Sequence, residues 1–443
     1  MKQMFSSLQY RNYRLWFFGA IVANIGTWMQ RVAQDWLVLT DLTADSGVAV
    51  GITTALQFAP ALAFSAWAGV LADRVDRRVM MIVTNGTLGV LALGLGALVL
   101  SGHVELWQVY LFAFALGCVS AFDSPPRQTF VADMVPPEKL ANAVGLNSAS
   151  FNAARLIGPA GADRRDEQAG DARADEAGGT GWVFVINGLS FGATIISLLA
   201  MRMSEMQPRV AVPRAKGQFR AGVAYVRSRP DLLVIMAVVG VVSTFGLNFQ
   251  LTLAMMARTV FDKGAGEYGA LGSILAIGSL TGALMAARRE RPRVRLVVGS
   301  AFAFGAATTI LALAPSYLTV ALFSIPVGYT ALTMMTAANA TIQTTTEPAM
   351  RGRVMSIYMM VLLGATPIGS PVVGWVGEHI GARWAIGVGA VTALVAAGAA
   401  AVWVMRHWDL EVRYSMRQRP WLQLVAIDDP GTIPDPVERA GVR

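Results

Sequence analysis

The chain has 443 residues, 54% of them hydrophobic and only 14% charged, and its mean hydropathy is +0.50. A soluble domain carries about 25% charged residues around a single core, so an ordinary soluble protein is excluded, and with it an enzyme built on a solvated cleft. The formal charge of +8 would point to nucleic acid in a soluble protein, but in a membrane protein such an excess sits in cytoplasmic loops beside anionic lipid, so no nucleic-acid partner is expected.

A spanning helix needs about 20 mostly apolar residues. In chain order, such runs cover Asn12 to Leu39, Val48 to Ala72, Val79 to Leu100 and Leu106 to Ala132; then come a damaged run from Leu140 to Ala162 and a clear one from Trp182 to Met203. After a polar stretch the runs are Leu232 to Ala257, Tyr268 to Ala287, Val294 to Ala314, Leu318 to Gln343, Val354 to Val376 and Arg383 to Met405. The expected fold is an all-α membrane protein of twelve transmembrane helices in two six-helix pseudo-repeats, with the fifth helix interrupted by polar residues. Its parts are an N-terminal half over 1–203, a cytoplasmic central loop over 204–231, a C-terminal half over 232–406 and a solvated, disordered tail over 407–443. The halves look like weak copies: Gln128-Thr-Phe-Val-Ala-Asp and Gln343-Thr-Thr-Thr-Glu-Pro each precede a loop and a proline-bearing helix.

Orientation follows from Lys and Arg, which short cytoplasmic loops retain. One alternating set of loops holds Arg74, Arg77 and Arg78, then Arg202 to Arg229, then Arg288 to Arg295, then Arg351 and Arg353; the other set, such as Ser101 to Glu105 and Pro315 to Tyr317, lacks them. Both termini are therefore expected in the cytoplasm, in a multi-pass inner-membrane protein without a cleavable signal peptide. Cys118 is the lone cysteine, and His103, His379 and His407 are far apart, so neither a disulfide framework nor a Cys/His metal site is expected, and no cofactor.

The most specific motif is Gly69-Val-Leu-Ala-Asp73-Arg74-Val-Asp76-Arg77-Arg78, at the cytoplasmic end of the second run. It resembles the loop signature of the major facilitator superfamily. Further stretches, Trp28-Met-Gln-Arg-Val-Ala-Gln-Asp-Trp36-Leu, Pro125-Pro-Arg-Gln-Thr-Phe-Val-Ala, Val135-Pro-Pro-Glu-Lys-Leu-Ala-Asn-Ala and Arg155-Leu-Ile-Gly-Pro159, are similar to the branch that holds the enterobactin exporter and related drug and siderophore efflux proteins. The resemblance spans roughly Met4 to Trp408 and implies export driven by a proton gradient, by a transporter and not an enzyme. It gives Gly69, Asp73, Arg74, Arg77, Arg78 and Arg127 a role in a cytoplasmic gate, with Arg127 as an ionic partner of Asp73. Asp76 stands where the signature has glycine, and Gly282 to Arg295 is a degenerate second copy without the acid. In agreement, the chain holds no Gly-x-x-x-x-Gly-Lys-Ser/Thr loop for a nucleotide.

Charges inside spans are expensive and default to function. Arg31 and Asp35 lie one turn apart on the first helix: either they neutralise each other, or Asp35 exchanges a proton while Arg31 tunes its affinity. Asp123 and Arg127 repeat that spacing on the fourth helix, which makes Asp123 a further proton-coupling candidate. Arg155, Gly158 and Pro159 resemble the antiporter signature, where proline bends the helix and glycine permits close packing between the halves. Asn24, Gln57, Asn248, Gln250 and Asn339 are the polar residues placed to touch cargo; Trp28, Phe58, Phe245, Phe249, Met334 and Met335 would suit a large apolar one.

Residues 161–179 do not fit a span. Six acids and three arginines there, at about 2.5 to 3.5 kcal/mol for each central charge, require the fifth helix to end near Ala160. The stretch is either a polar insertion in an outer loop or, as the preferred reading, a local frame shift that replaced the second half of the helix. The expected function is export of a small amphipathic molecule, siderophore-like or drug-like, by proton antiport and alternating access in a monomer whose partners are its substrate, protons and the bilayer. An importer or facilitator, or a defective copy, are the alternatives.

Overall fold

The computed structural model describes residues 5–162, 172–206, 218–286, 294–407, 410–414 and 422–426. After a 3-10 turn at Ser6–Gln9, the first group of helices is α1 (Arg11–Thr40), α2 (Gly47–Arg74), α3 (Arg77–Leu100), α4 (Leu106–Met134), α5 (Pro137–Ala162) and α6 (Ala172–Leu199). The second is α7 (Gln218–Ser228), α8 (Pro230–Phe245), α9 (Phe249–Met255) running into a π turn at Met256–Val260, α10 (Ala265–Ala286), α11 (Val294–Ala312), α12 (Tyr317–Thr345), α13 (Pro348–His379) and α14 (Ala382–His407). Among the described residues nine stretches are long and apolar enough to cross a membrane, in α2, α3, α4, α6, α8 with α9, α11, α12, α13 and α14. This is a multi-pass membrane protein.

Local chemistry sets the helix starts. Ser46 caps α2 by accepting from the Ala49 amide, and Glu105 and Gln108 form a reciprocal capping box on α4. Asp76, the departure from glycine in the signature loop, caps α3 by accepting from the Arg78 and Val79 amides at 2.8 and 3.2 Å. The chain thus turns from α2 into α3 on a side-chain cap.

Four features depart from the expectations. α5 is unbroken among the described residues: it runs 26 residues from Pro137 to Ala162, about 39 Å at 1.5 Å per residue, and ends within two residues of the expected Ala160. α6 begins at Ala172, ten residues before the apolar run at Trp182, and carries Asp175 and Glu176 in its first turns; residues 163–171 lie outside the described ones. Leu410–Tyr414 pairs antiparallel with Leu422–Ala426, Leu410 opposite Ala426, inside the segment expected as a disordered tail. The apolar run from Leu232 is also broken: Gly246 and Leu247 leave the helix between α8 and α9, and Asn248 donates to the Thr244 carbonyl at 2.7 Å across the break.

Within the first group α1 packs on α5 and α6, α2 on α4, and α3 on α4 and α6; within the second α8 packs on α13 and α14, α10 on α12, and α11 on α12 and α14. The groups meet along α2 with α13 and α5 with α10. Apolar packing is uneven along that junction. One large buried cluster joins the second group to the end of the first that contains Trp36, Leu37, Val50, Val99, Val109 and Phe184. At the opposite end of the first group Tyr13, Trp16, Met81, Phe130 and Leu198 form a separate cluster. The two groups therefore share a core at the end where α1 finishes and α2 begins.

Candidate functional site

At that shared end, close backbone approach sets the geometry. Gly47 of α2 crosses Gly374 of α13 so tightly that a Cβ on either would strike the other chain. Around the crossing, the Glu378 carboxylate accepts from the Ser46 hydroxyl at 2.6 Å and the Val48 amide at 3.0 Å, the Ser370 hydroxyl donates to the Gly51 carbonyl at 3.0 Å, and Arg258 pairs with Asp45 at 3.1 Å. Asp45 reaches that position from a left-handed backbone, φ 58°, which aspartate tolerates better than most residues. One layer deeper, Tyr268 of α10 donates to Asp35 of α1 at 3.4 Å, and its ring stacks on Trp36, centroids 6.1 Å apart. Asp35 is 3% exposed, so a buried carboxylate sits on the seam between the groups.

Beside it lies a narrow cleft of about 30 Å³ lined by Trp28 and Arg155 from the first group and by Phe249, Gln250 and Tyr268 from the second. Gly158 places Arg155 there. A Cβ on Gly158 would lie 2.7 Å from Trp28 Cβ and 3.0 Å from the Ile25 carbonyl, so its lack of a side chain lets α5 close on α1 and sets Arg155, one turn earlier, over the Trp28 ring at 5.3 Å. The packing Gly158 permits is thus against α1, within the first group, and not between the halves. The helix continues past it to Ala162, and the Pro159 side chain lies outside the described residues. Arg31 lies over the same Trp28 ring at 5.1 Å and over Phe58 at 5.3 Å. Among the described residues no contact within ion-pair distance joins it to Asp35, but the two charges one turn apart attract each other, and the guanidinium lies against both rings.

The other predicted residues fall elsewhere. Asp123 accepts from Thr84 at 2.6 Å, Asn85 at 2.9 Å and Arg127 at 2.6 Å; Arg127 also reaches the Asn85 side-chain carbonyl at 3.1 Å and lies over Trp16. That network binds α3 to α4 and has the geometry of an anchor rather than a proton carrier. Arg77 pairs with Asp133 at 2.7 Å, and Arg78 donates to the Leu198 and Leu199 carbonyls at 2.7 and 3.0 Å, closing the C-terminus of α6. In this conformation the described signature arginines tie α3 to α4 and α6, not one group to the other. Gly69, Asp73 and Arg74 stand in the last turns of α2, but their side chains are outside the described residues. Of the cargo candidates only Gln250 lines the cleft. Asn248 is spent on the α8/α9 break, Asn339 accepts from the Gln343 side chain, and Asn24 and Gln57 are half-buried on α1 and α2. Tyr268, Glu378, Asp45 and Arg258 were not foreseen: each lies near the end of an apolar run, where a polar residue reads as ordinary boundary chemistry.

A family model described as "Transmembrane secretion effector" matches residues 2–433. The chain is similar to the staphyloferrin A transporter of Staphylococcus aureus, 28% identical over 148 residues that make up 33% of this chain and 37% of that protein. It is similar over more of its length to macrolide efflux protein A of Streptococcus pyogenes, 22% identical across 82% of this chain and 89% of the relative, and to multidrug efflux pump Tap of Mycolicibacterium fortuitum, 25% identical across 82% and 88%. Among solved structures, a bacterial homologue of the human lysosomal transporter Spinster, inward-facing and occupied, aligns with a TM-score of 0.70 at 17% identity over 89% of this chain and 96% of that one. The inward-open xylose transporter of E. coli aligns at 0.64 and 13% identity, over 90% and 95%. With a family match over nearly its whole length and a helical fold shared with solved transporters, the chain belongs to the transmembrane secretion effectors of the major facilitator superfamily, which are transporters and not enzymes.

Proposed function

We propose that the protein exports a small amphipathic molecule across the inner membrane by proton antiport and alternating access, as a monomer with both termini in the cytoplasm. The observation that carries this reading is the concentration of inter-group contacts at one end, closing over a buried carboxylate: Asp35 with Tyr268 inside, and Glu378 with Ser46 and Val48 outside. A transporter that rocks between two openings needs one closed end, and a proton that decides when it opens needs a carboxylate on the seam.

Twelve spans in two six-helix halves support that mechanism. α1, α5 and α10 have 30, 26 and 22 residues, about 45, 39 and 33 Å, each longer than a hydrocarbon core of about 30 Å; α8, α9 and the π turn then make one broken crossing. Matching α1 to α8, α2 to α10, α3 to α11, α4 to α12, α5 to α13 and α6 to α14 maps every main helix pairing of one half onto one of the other, and exchanges α2/α13 with α10/α5. The basic loops then fall on the cytoplasmic side, and the closed end faces outward.

Everted membrane vesicles loaded with a pH gradient test the reading, with erythromycin and staphyloferrin A as cargo chosen from the relatives' names. Accumulation of either that collapses with the gradient and is lost in Asp35→Asn, with the variant still inserted, is the expected result. Flux that ignores the gradient would remove proton coupling; no flux of either would remove export of these two classes.

A further inference from the structure

α7 takes no part in the closed end or the cleft, and it carries no acid along Gln218–Ser228. One side of it is spent on packing. Gly222 and Val226 are buried, a Cβ on Gly222 would lie 3.1 Å from Arg353 Cβ and Ile357 Cδ1 of α13, and the Tyr225 hydroxyl accepts from the Glu347 amide at 3.4 Å and from Arg229 at 3.2 Å. With residue 222 beside 353 and 357, and residue 225 beside 347, α7 runs antiparallel to the first turns of α13. Both Arg353 and Ile357 belong to Met350–His379, one of the stretches able to cross a membrane. α7 is therefore held at the depth where a span enters the bilayer, and not out in solution.

The other side is free. Arg220, Ala221, Ala224 and Arg227 are all exposed, and Arg220, Ala224 and Arg227 follow at helical spacing on one stripe, with only a methyl group between the two arginines. Among the described residues neither arginine has a hydrogen bond or ion pair, whereas the neighbouring Arg229 is held by Asp231 at 2.7 Å and the Thr345 carbonyl at 3.2 Å. Arg351, exposed at the start of α13, likewise has no side-chain partner among them. A helix packed on one face, basic and acid-free on the other, and lying at headgroup depth is suited to anionic lipid, and the planar guanidinium fork matches phosphate oxygens.

We propose that the free face of α7 docks on anionic phospholipid, with Arg220 and Arg227 each taking a headgroup phosphate and Arg351 adding to the field. Cargo, direction and proton coupling do not enter, so this surface stands apart from the transport reading. Through Gly222 and Val226 the docked helix ties the start of α13 to the membrane surface, and α13 carries Glu378 of the closed end at its other terminus. Each arginine near an anionic surface favours binding about fivefold, and two together about thirtyfold.

The test places bimane on Ala224→Cys in a Cys118→Ser background and reads its quenching in phosphatidylcholine nanodiscs that hold the full chain. The quencher is a doxyl group near the glycerol end of one acyl chain, carried either by phosphatidylglycerol or by phosphatidylcholine. The phosphatidylglycerol probe should be enriched beside the label by about fivefold or more, and high salt should weaken that preference. Arg220→Gln/Arg227→Gln, checked for monodisperse elution, should bring the two probes to parity, while Arg220→Lys/Arg227→Lys should keep part of the preference. Equal quenching in the parent overturns the docking, as does a preference that survives loss of both arginines. No quenching by either probe would show the face turned away from the bilayer, and also overturns it. Loss of the preference on adding inorganic phosphate at constant ionic strength would assign the arginines to a soluble phosphate instead.

Discussion

Removing the Glu378 carboxylate should loosen the closure at the end where α1 finishes and α2 begins by a measurable amount. One of its oxygens accepts from both Ser46 Oγ and the Val48 amide, and Val48 lies in the first turn of α2, where amides lack helical partners and the dipole favours an anion. A hydrogen bond to a charged group is worth about 1.5 to 3 kcal/mol when buried, but Glu378 is exposed, so screening reduces the pair to about 1 to 2 kcal/mol. That corresponds to a rise of about five- to thirtyfold in the open-to-closed ratio. The assay is maleimide labelling of Ala49→Cys in a Cys118→Ser background: Ala49 is 5% exposed in the core shared by both groups, so it reacts only while the end is open and its rate tracks that population. Glu378→Ala should speed labelling five- to thirtyfold, and Glu378→Gln, which keeps an acceptor without the charge, should fall between. A Glu378→Ala rate within twofold of the parent would refute the closure as a determinant of the equilibrium, because Arg258 with Asp45 and Ser370 with Gly51 would then suffice.

Asp123→Asn should leave outer-end labelling unchanged yet lower stability by about 2 to 4 kcal/mol, since it strips the half-buried Arg127 of its counter-ion; thermal unfolding in detergent reads the loss, and adding Arg127→Gln should recover part of it. Gly158→Leu should force α5 off α1, because a Cβ there already meets Trp28 Cβ at 2.7 Å and the Ile25 backbone carbonyl at 3.0 Å. A cost above about 2 kcal/mol should appear as lost monodisperse protein on size exclusion, with Gly158→Ala milder.

The spans were legible because burial in lipid demands long apolar runs, and the run from Leu106 to Ala132 lies within an observed helix over Leu106–Met134. The α8/α9 break escaped notice, since Phe245-Gly-Leu-Asn248 is too short to lower the average. α7 was hidden in a segment read as loop, although its Gly222 packs against Arg353 and Ile357 of α13. The end of α5 was legible from the charges that follow it, since the helix stops at Ala162, within two residues of the expected Ala160. Partners were the least legible feature. Loop position led to the expectation that Arg78 is cytoplasmic, yet nothing local foretold that it would cap α6 120 residues away.

The two charged pairs inside spans show why spacing alone left their roles open. Arg31/Asp35 and Asp123/Arg127 share the four-residue interval, but the order is reversed, and an acid N-terminal to its base is the favourable arrangement on a helix. Asp123 precedes Arg127 and pairs with it at 2.6 Å, with Thr84 and Asn85 completing the carboxylate's shell. Arg31 precedes Asp35 and makes no close pair with it: the guanidinium lies against Trp28 on its own helix and Phe58 of α2, and the carboxylate accepts from Tyr268 of α10. A satisfied pair holds one group together whichever way the transporter faces. A divided pair leaves the acid bonded across the seam to the other group, so that its charge bears on how the two groups meet.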